Sequence, residues 1–150
     1  MSKKLIARLS GLVGGSDPLA VMAETPARLQ GLVSAASPDE LRFTTAAGRW
    51  TIAQVVAHMA DAEIVGAWRF RTVLTQAGVA VQAYAQNAWA SAFRYADAPA
   101  AESVGLFVAL RRATLRVLRQ ADPERLQHAG MHAERGRESV EQLTRMYAGH

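Results

Sequence analysis

The stretch "WTIAQVVAHMADAE", Trp50 to Glu63, places a helix-start signal directly before an apolar run that carries a histidine, His58, and closes on an acid, Glu63. Thr51 and Gln54 stand at capping-box spacing, and no proline follows until Pro99, which predicts a long helix from about Ile52 to Gln76, ended by Gly78. Side chains at roughly 100° intervals put Ile52, Val56, Met59, Phe70 and Leu74 on one stripe, with Val55, Ala62, Gly66 and Val73 beside it. That stripe faces a core. His58 falls about 120° from its centre and borders the core, whereas Glu63 lies within about 20° of the centre. An ionised carboxylate there requires a partner: an Arg or Tyr from another helix, or a metal or substrate.

Outward from this segment, Ala-rich periodic stretches alternate with Gly, Pro and Ser breaks, and two-residue alternation of Val, Ile and Thr is absent. "SDPLAVMAETPARLQGLVSAASPDEL" reads as a helical region punctuated at Pro26, with Thr25 as N-cap, followed by a short turn that Ser37 opens. A third strong helix is expected from about Ala101 to Ala121. "VAVQAYAQNAWASAFRYADAPA" reads as a long connection with a helical turn around Trp89, and "RLQHAGMHAERGRE" as a loop. Ser139 and Gln142 repeat the start signal and open a last helix into His150. The fold class is all-α: an antiparallel four-helix bundle in one domain over residues 1–150, with 1–16 as an N-terminal extension and the last helix cut short.

Of the 150 residues half are apolar and one fifth charged, enough for one core. There is no cysteine, which excludes disulfides, thiolate-bound zinc and a cysteine nucleophile, so a metal site must use His, Asp or Glu. No secretory leader or run of ~20 apolar residues is visible, and the expectation is a soluble, cytoplasmic chain without a membrane partner. The net charge of +4 comes from scattered arginines. Arg112, Arg116 and Arg119 share the face opposite Leu106, Leu110 and Val117 and read as solvated; with no aromatic residue among them, no nucleic-acid partner is expected. Neither a phosphate-cradling glycine loop nor a G-x-S-x-G elbow is present.

Val140, Leu143, Tyr147 and His150 form one face of the last helix, so His150 points to the interior that His58 borders; histidines on two helices could supply part of a metal site. His128 and His132, separated by Gly130 in a turn-rich segment, read as solvated loop histidines. Trp68 lies far from the core stripe and fits a contact with a connection, a pocket or a second copy.

"GRWTIAQVVAHMADAE" resembles the G-K-W-[ST]-x-x-[EQ]-V-x-x-H-[LM]-A-D-x-E signature of the DinB-like (DinB/YfiT) superfamily of bacterial four-helix bundle proteins. The likeness extends to "TPARLQGLV", "WRFRTVL", "YAQNAWA", "GMHAERG" and "VEQLTRMYAGH", and thus covers Asp17 to His150. It implies a divalent metal, zinc or nickel, on three histidines, of which His58 matches the one in the long helix and His150 the first of an H-x-x-x-H pair in the final helix. The third falls four residues after His150, with water, substrate or the terminal carboxylate of His150 filling out the site here. Where the family's "YDQDAWA"-like segment carries acids, this chain has Ala85 and Asn87. The resemblance further implies transfer of a small-molecule thiol to a small electrophile, or isomerase or hydrolase chemistry, in a homodimer. Glu63 is expected to be structural or to support the ligands from behind rather than to act as a base. The alternative is a non-catalytic bundle that binds a small ligand or protein with an incomplete metal site.

Overall fold

The start signal at Thr51 is a complete capping box: its side chain accepts from the Gln54 N–H at 3.2 Å, and Gln54 Oε1 accepts from the Thr51 N–H at 2.8 Å. Ser37 with Glu40 and Ser139 with Gln142 repeat it. In the computed structural model, which describes residues 3–150, the helices are α1 (Lys3–Leu12), α2 (Pro18–Ala35), α3 (Pro38–Leu41), α4 (Ile52–Thr75), α5 (Gln86–Ala92), α6 (Ala100–Gln120), α7 (Pro123–Leu126) and α8 (Val140–Gly149). No helix among the described residues is long and apolar enough to cross a membrane.

Helices α2, α4, α6 and α8 form the four-helix bundle. Helix α6 packs on both α2 and α4, and α8 packs on the same two helices from the other side. Met22 near the start of α2, Phe70, Val73 and Leu74 near the end of α4, Leu115 and Leu118 near the end of α6, and Leu143, Met146 and Tyr147 of α8 share one buried cluster. Helices α4 and α6 therefore run the same way, the connection between them returning the chain to the end it left, while α2 and α8 run against both.

Three local expectations are corrected. Helix α2 passes through Pro26 without a break: Asp17 caps it from Pro18 onward, Thr25 Oγ1 donates back to the Val21 carbonyl at 2.8 Å, and the proline ring is buried. Burial of that ring outweighs the one backbone hydrogen bond it forfeits. The stretch read as an extension forms α1, which packs along α8 and sets Ile6 and Leu9 against the core. The segments read as loops contain a small sheet: β1 (Ala80–Val81) pairs in parallel with β2 (Ala129–His132), which pairs antiparallel with β3 (Gly136–Ser139). Strands this short show no alternation; Gly136 at φ +83° turns the hairpin, and Gly130 lets β2 lie against Val81 and Val73 where a Cβ would meet both.

The approach of α8 to α4 rests on Gly66. A Cβ there would lie 2.6 Å from Tyr147 Cε1, and that ring is held by Phe70 at 5.5 Å between centroids and by Arg69 Nη1, which donates to its hydroxyl at 3.4 Å. We expect Gly66→Ala to destabilise the chain by about 1–3 kcal/mol as overpacking. Gly105→Ala on α6, where a Cβ meets nothing within 4 Å, should be neutral or stabilising. Thermal unfolding of both variants checks the contrast.

Candidate metal centre

His58 and Asp61 sit three residues apart on α4 and therefore on one side of it. His58 is buried at 8% exposure, with its imidazole 5.0 Å from the Trp50 ring and 5.2 Å, edge to face, from the imidazole of His150. The structure thus brings the two sequence-predicted histidines together. His58 lies deeper than a border position because Trp50, just before the α4 cap, folds over it.

Burial pushes the His58 pKa down, against the nearby Asp61 carboxylate, which favours the proton. His150 is lowered further, to about 4, by burial first, then by His58 and the Arg111 guanidinium. Both rings are neutral near pH 7 and keep the lone pairs that a metal ion uses. His58 Nδ1 is buried with no hydrogen-bond partner, the unsatisfied state that a ligand would relieve. His58 and His150 bring two imidazole donors together, and among the described residues no group of three or more His, Asp or Glu comes together to hold a metal ion.

Glu63 takes no part in that pair. Arg111 of α6 grips it bidentately, Nε donating to Oε2 at 2.8 Å and Nη2 to Oε1 at 2.7 Å, with the side chains 1% and 2% exposed. The carboxylate on the core stripe has its partner from another helix.

Sequence reasoning missed the wall around the histidines. Tyr95, buried in a 3₁₀ turn (Tyr95–Asp97), donates its hydroxyl to Asp61 Oδ2 at 2.6 Å and packs its ring 6.0 Å from Trp50. The only signal was Asp61 itself, one helical turn after His58. His132 is corrected as well: it is buried on β2, its Nδ1 accepts from the Glu134 N–H at 3.1 Å, and its Nε2 lies 3.5 Å from Arg69 Nη2. His128 is half-buried, with Nδ1 3.2 Å from the Val73 carbonyl oxygen. Pairing of β2 against β1 turns this segment inward, which no loop reading anticipates. Arg112, Arg116 and Arg119 are exposed, and Trp68 is 72% exposed.

A bundle in which histidines from two neighbouring helices meet in the interior is the class of protein this geometry defines. The chain belongs to the DinB superfamily, whose sequence model matches residues 22–150. It is 26% identical over 127 residues to a protein of Oceanobacillus iheyensis named "Putative metal-dependent hydrolase", the match covering 85% of this chain and 73% of that one. It is 35% identical over 69 residues to YfiT of Bacillus subtilis, which carries the same name, across 46% of this chain and 39% of that one. The solved structure of YfiT, described as having an unusual four-helix bundle topology, superposes with a TM-score of 0.82 at 24% identity, covering all of this chain and 81% of that one.

Two outcomes follow. Glu63→Gln leaves Arg111 buried without a counter-charge and should cost about 3–5 kcal/mol, whereas replacing both partners, as Glu63→Leu with Arg111→Met, should recover most of that; denaturant titration measures both. The second outcome concerns pH. His58, His132 and His150 all have pKa values lowered in the fold, burial being the largest cause in each. The unfolded chain then takes up protons near pH 6.5 that the folded chain refuses, so this stability is complete above about pH 6.5 and is lost as the pH falls toward 4. In chelator-treated protein the Tm should hold between pH 7 and 8 and decline below 6.5, with His150→Gln flattening the slope.

Proposed function

We propose that His58 and His150 hold a divalent metal ion, zinc or nickel, at which a small-molecule thiol is activated and transferred to a small electrophile. The observation that carries this reading is the meeting of two neutral imidazoles, His58 buried on α4 and His150 half-buried at the end of α8, the former with an orphaned ring nitrogen. When bound, the ion would supply Lewis-acid chemistry, lowering the pKa of a thiol or of water. Trp50 shields His58 from solvent, and the Asp61–Tyr95 hydrogen bond fixes a polar group beside an otherwise apolar wall. Two protein ligands leave coordination positions open for the reactants. The thiol reading rests on the family resemblance of the sequence; the names of the relatives favour water as the nucleophile, which makes hydrolysis the second reading.

The test is a calorimetric titration of the chelator-treated chain with Zn²⁺ and with Ni²⁺. We expect one equivalent to bind, with affinity falling at least about tenfold in His58→Ala, since loss of a supporting contact alone costs that much. The loaded protein is then assayed with a low-molecular-weight thiol plus an aromatic electrophile, and separately with an activated ester. Thiol consumption supports transfer, and ester cleavage without it supports hydrolysis. Absence of metal binding overturns both and leaves a non-catalytic ligand-binding bundle.

A further inference from the structure

Three arginine side chains are withdrawn from water, and two of them are neutralised in the same way. Arg111 grips Glu63 and Arg135 grips Glu138, each through Nε and Nη2 to the two carboxylate oxygens. The third, Arg69 of α4, is 3% exposed and enters no ion pair among the described residues. Its Nη2 donates to the Gln82 carbonyl at 2.6 Å and its Nη1 to the Tyr147 hydroxyl at 3.4 Å, both neutral oxygens. Its Nε is buried with no hydrogen-bond partner. The edge that holds a carboxylate in Arg111 and Arg135 is thus half-empty in Arg69, and a buried charge is left uncompensated.

His132 adds a further donor at the same place. Burial, then Arg135 and more weakly Arg69, hold its pKa down against Glu138 and Glu134, so the ring is neutral at pH 7. Its Nδ1 accepts from the Glu134 N–H, which puts the ring proton on Nε2. That N–H lies 3.5 Å from Arg69 Nη2, so that two donors face each other. A cluster of donors around a single positive charge suits an acceptor with one negative charge, and the planar fork of a guanidinium edge matches a carboxylate. The segment that crosses Arg69 is thin: Gln82, Ala83 and Ala85 are exposed, and half-buried Tyr84 holds its ring 6.0 Å from the guanidinium carbon, the outer limit of a cation–π contact.

We propose that Arg69 and His132 form the seat of a carboxylate, which accepts from Arg69 Nε–H and from His132 Nε2–H and supplies the charge that the fold leaves out. Its source is a small free acid or the carboxylate arm of a larger molecule. Arg69 follows His58 by three turns on the same side of α4, about 16 Å along the axis. The seat uses no metal, and its test is separate from that of the histidine pair.

The experiment replaces sodium chloride by sodium formate at constant ionic strength and follows the arginine Nε–H resonances of the isotope-labelled chain, each assigned through its own side-chain carbons. The Arg69 resonance should move saturably toward the positions of the carboxylate-bound Arg111 and Arg135, while those of the exposed arginines stay still. At ten times the dissociation constant the Tm should rise by about 3 °C or more. Arg69→Lys, which keeps the charge and loses the fork, should weaken binding at least about tenfold. Benzoate that binds as well as formate identifies the arm of a larger molecule, and formate alone identifies a small free acid. An Arg69 Nε–H that does not move, or that moves only in step with the exposed arginines, overturns the proposal and leaves a seat filled by water. So does an unchanged affinity in Arg69→Lys.

Discussion

Arg111 and Glu63 form the buried charge pair around which α4 and α6 are arranged. Both side chains are almost fully excluded from water, and the guanidinium stacks 4.9 Å from the Phe107 ring. Neither charge is tolerable there alone. A bidentate pair is directional as well as attractive, so it fixes the rotation of each helix about its axis and the register between them. Breaking it costs an amount comparable with much of the 5–15 kcal/mol that holds a domain folded. That register also decides what α4 presents to α8.

The histidine pair follows from this setting. With α4 oriented by Glu63, His58 and Asp61 face the end of α8, where Trp50 and Tyr95 close over them. Helix α8 is set in turn by the contact of Tyr147 with Gly66 and by Arg69, which donates to the Tyr147 hydroxyl and, at 2.6 Å, to the Gln82 carbonyl. Arg69 thus ties α8 and the segment after β1 to the same helix. The imidazoles sit among buried Tyr95 and half-buried Trp50 and Asp61, and the low polarity that keeps both rings neutral is a product of the packing.

Much of this is legible in the sequence because it is local. Capping boxes at Thr51, Ser37 and Ser139 depend on residues three apart, and the helical period places Glu63 on the core side of α4, where a carboxylate demands a buried partner. That Arg111 is the partner is not legible, since its choice depends on how α6 returns across the bundle. The sheet escapes for the same reason: β1 and β2 lie far apart in sequence, and four-residue strands acquire meaning only once Gly130 docks against Val73 and Val81. Pro26 misleads because its local cost is fixed while its gain from burial is tertiary. Of the centre, His58 and His150 are readable from helical faces and from the family likeness, but Tyr95 joins them through the long connection, setting its ring against Trp50 and its hydroxyl on Asp61.

The two ends of the bundle differ, and the candidate site lies between them. At one end the start of α2, the ends of α4 and α6, and α8 bury a continuous cluster with α1 laid outside. At the other, the stripe of α4 continues past His58 into exposed Ile52 and Val55. A histidine pair at this boundary has a dry side, which lowers its pKa values, and stands about one helical turn from exposed Val55. A pair deep in the cluster would have no route for ligands, and one on the surface would be partly protonated near neutral pH and weaker as a ligand. The position of His58, one helical turn from exposed Val55 yet covered by Trp50, therefore keeps the imidazole neutral while leaving it close to the open end of the helix.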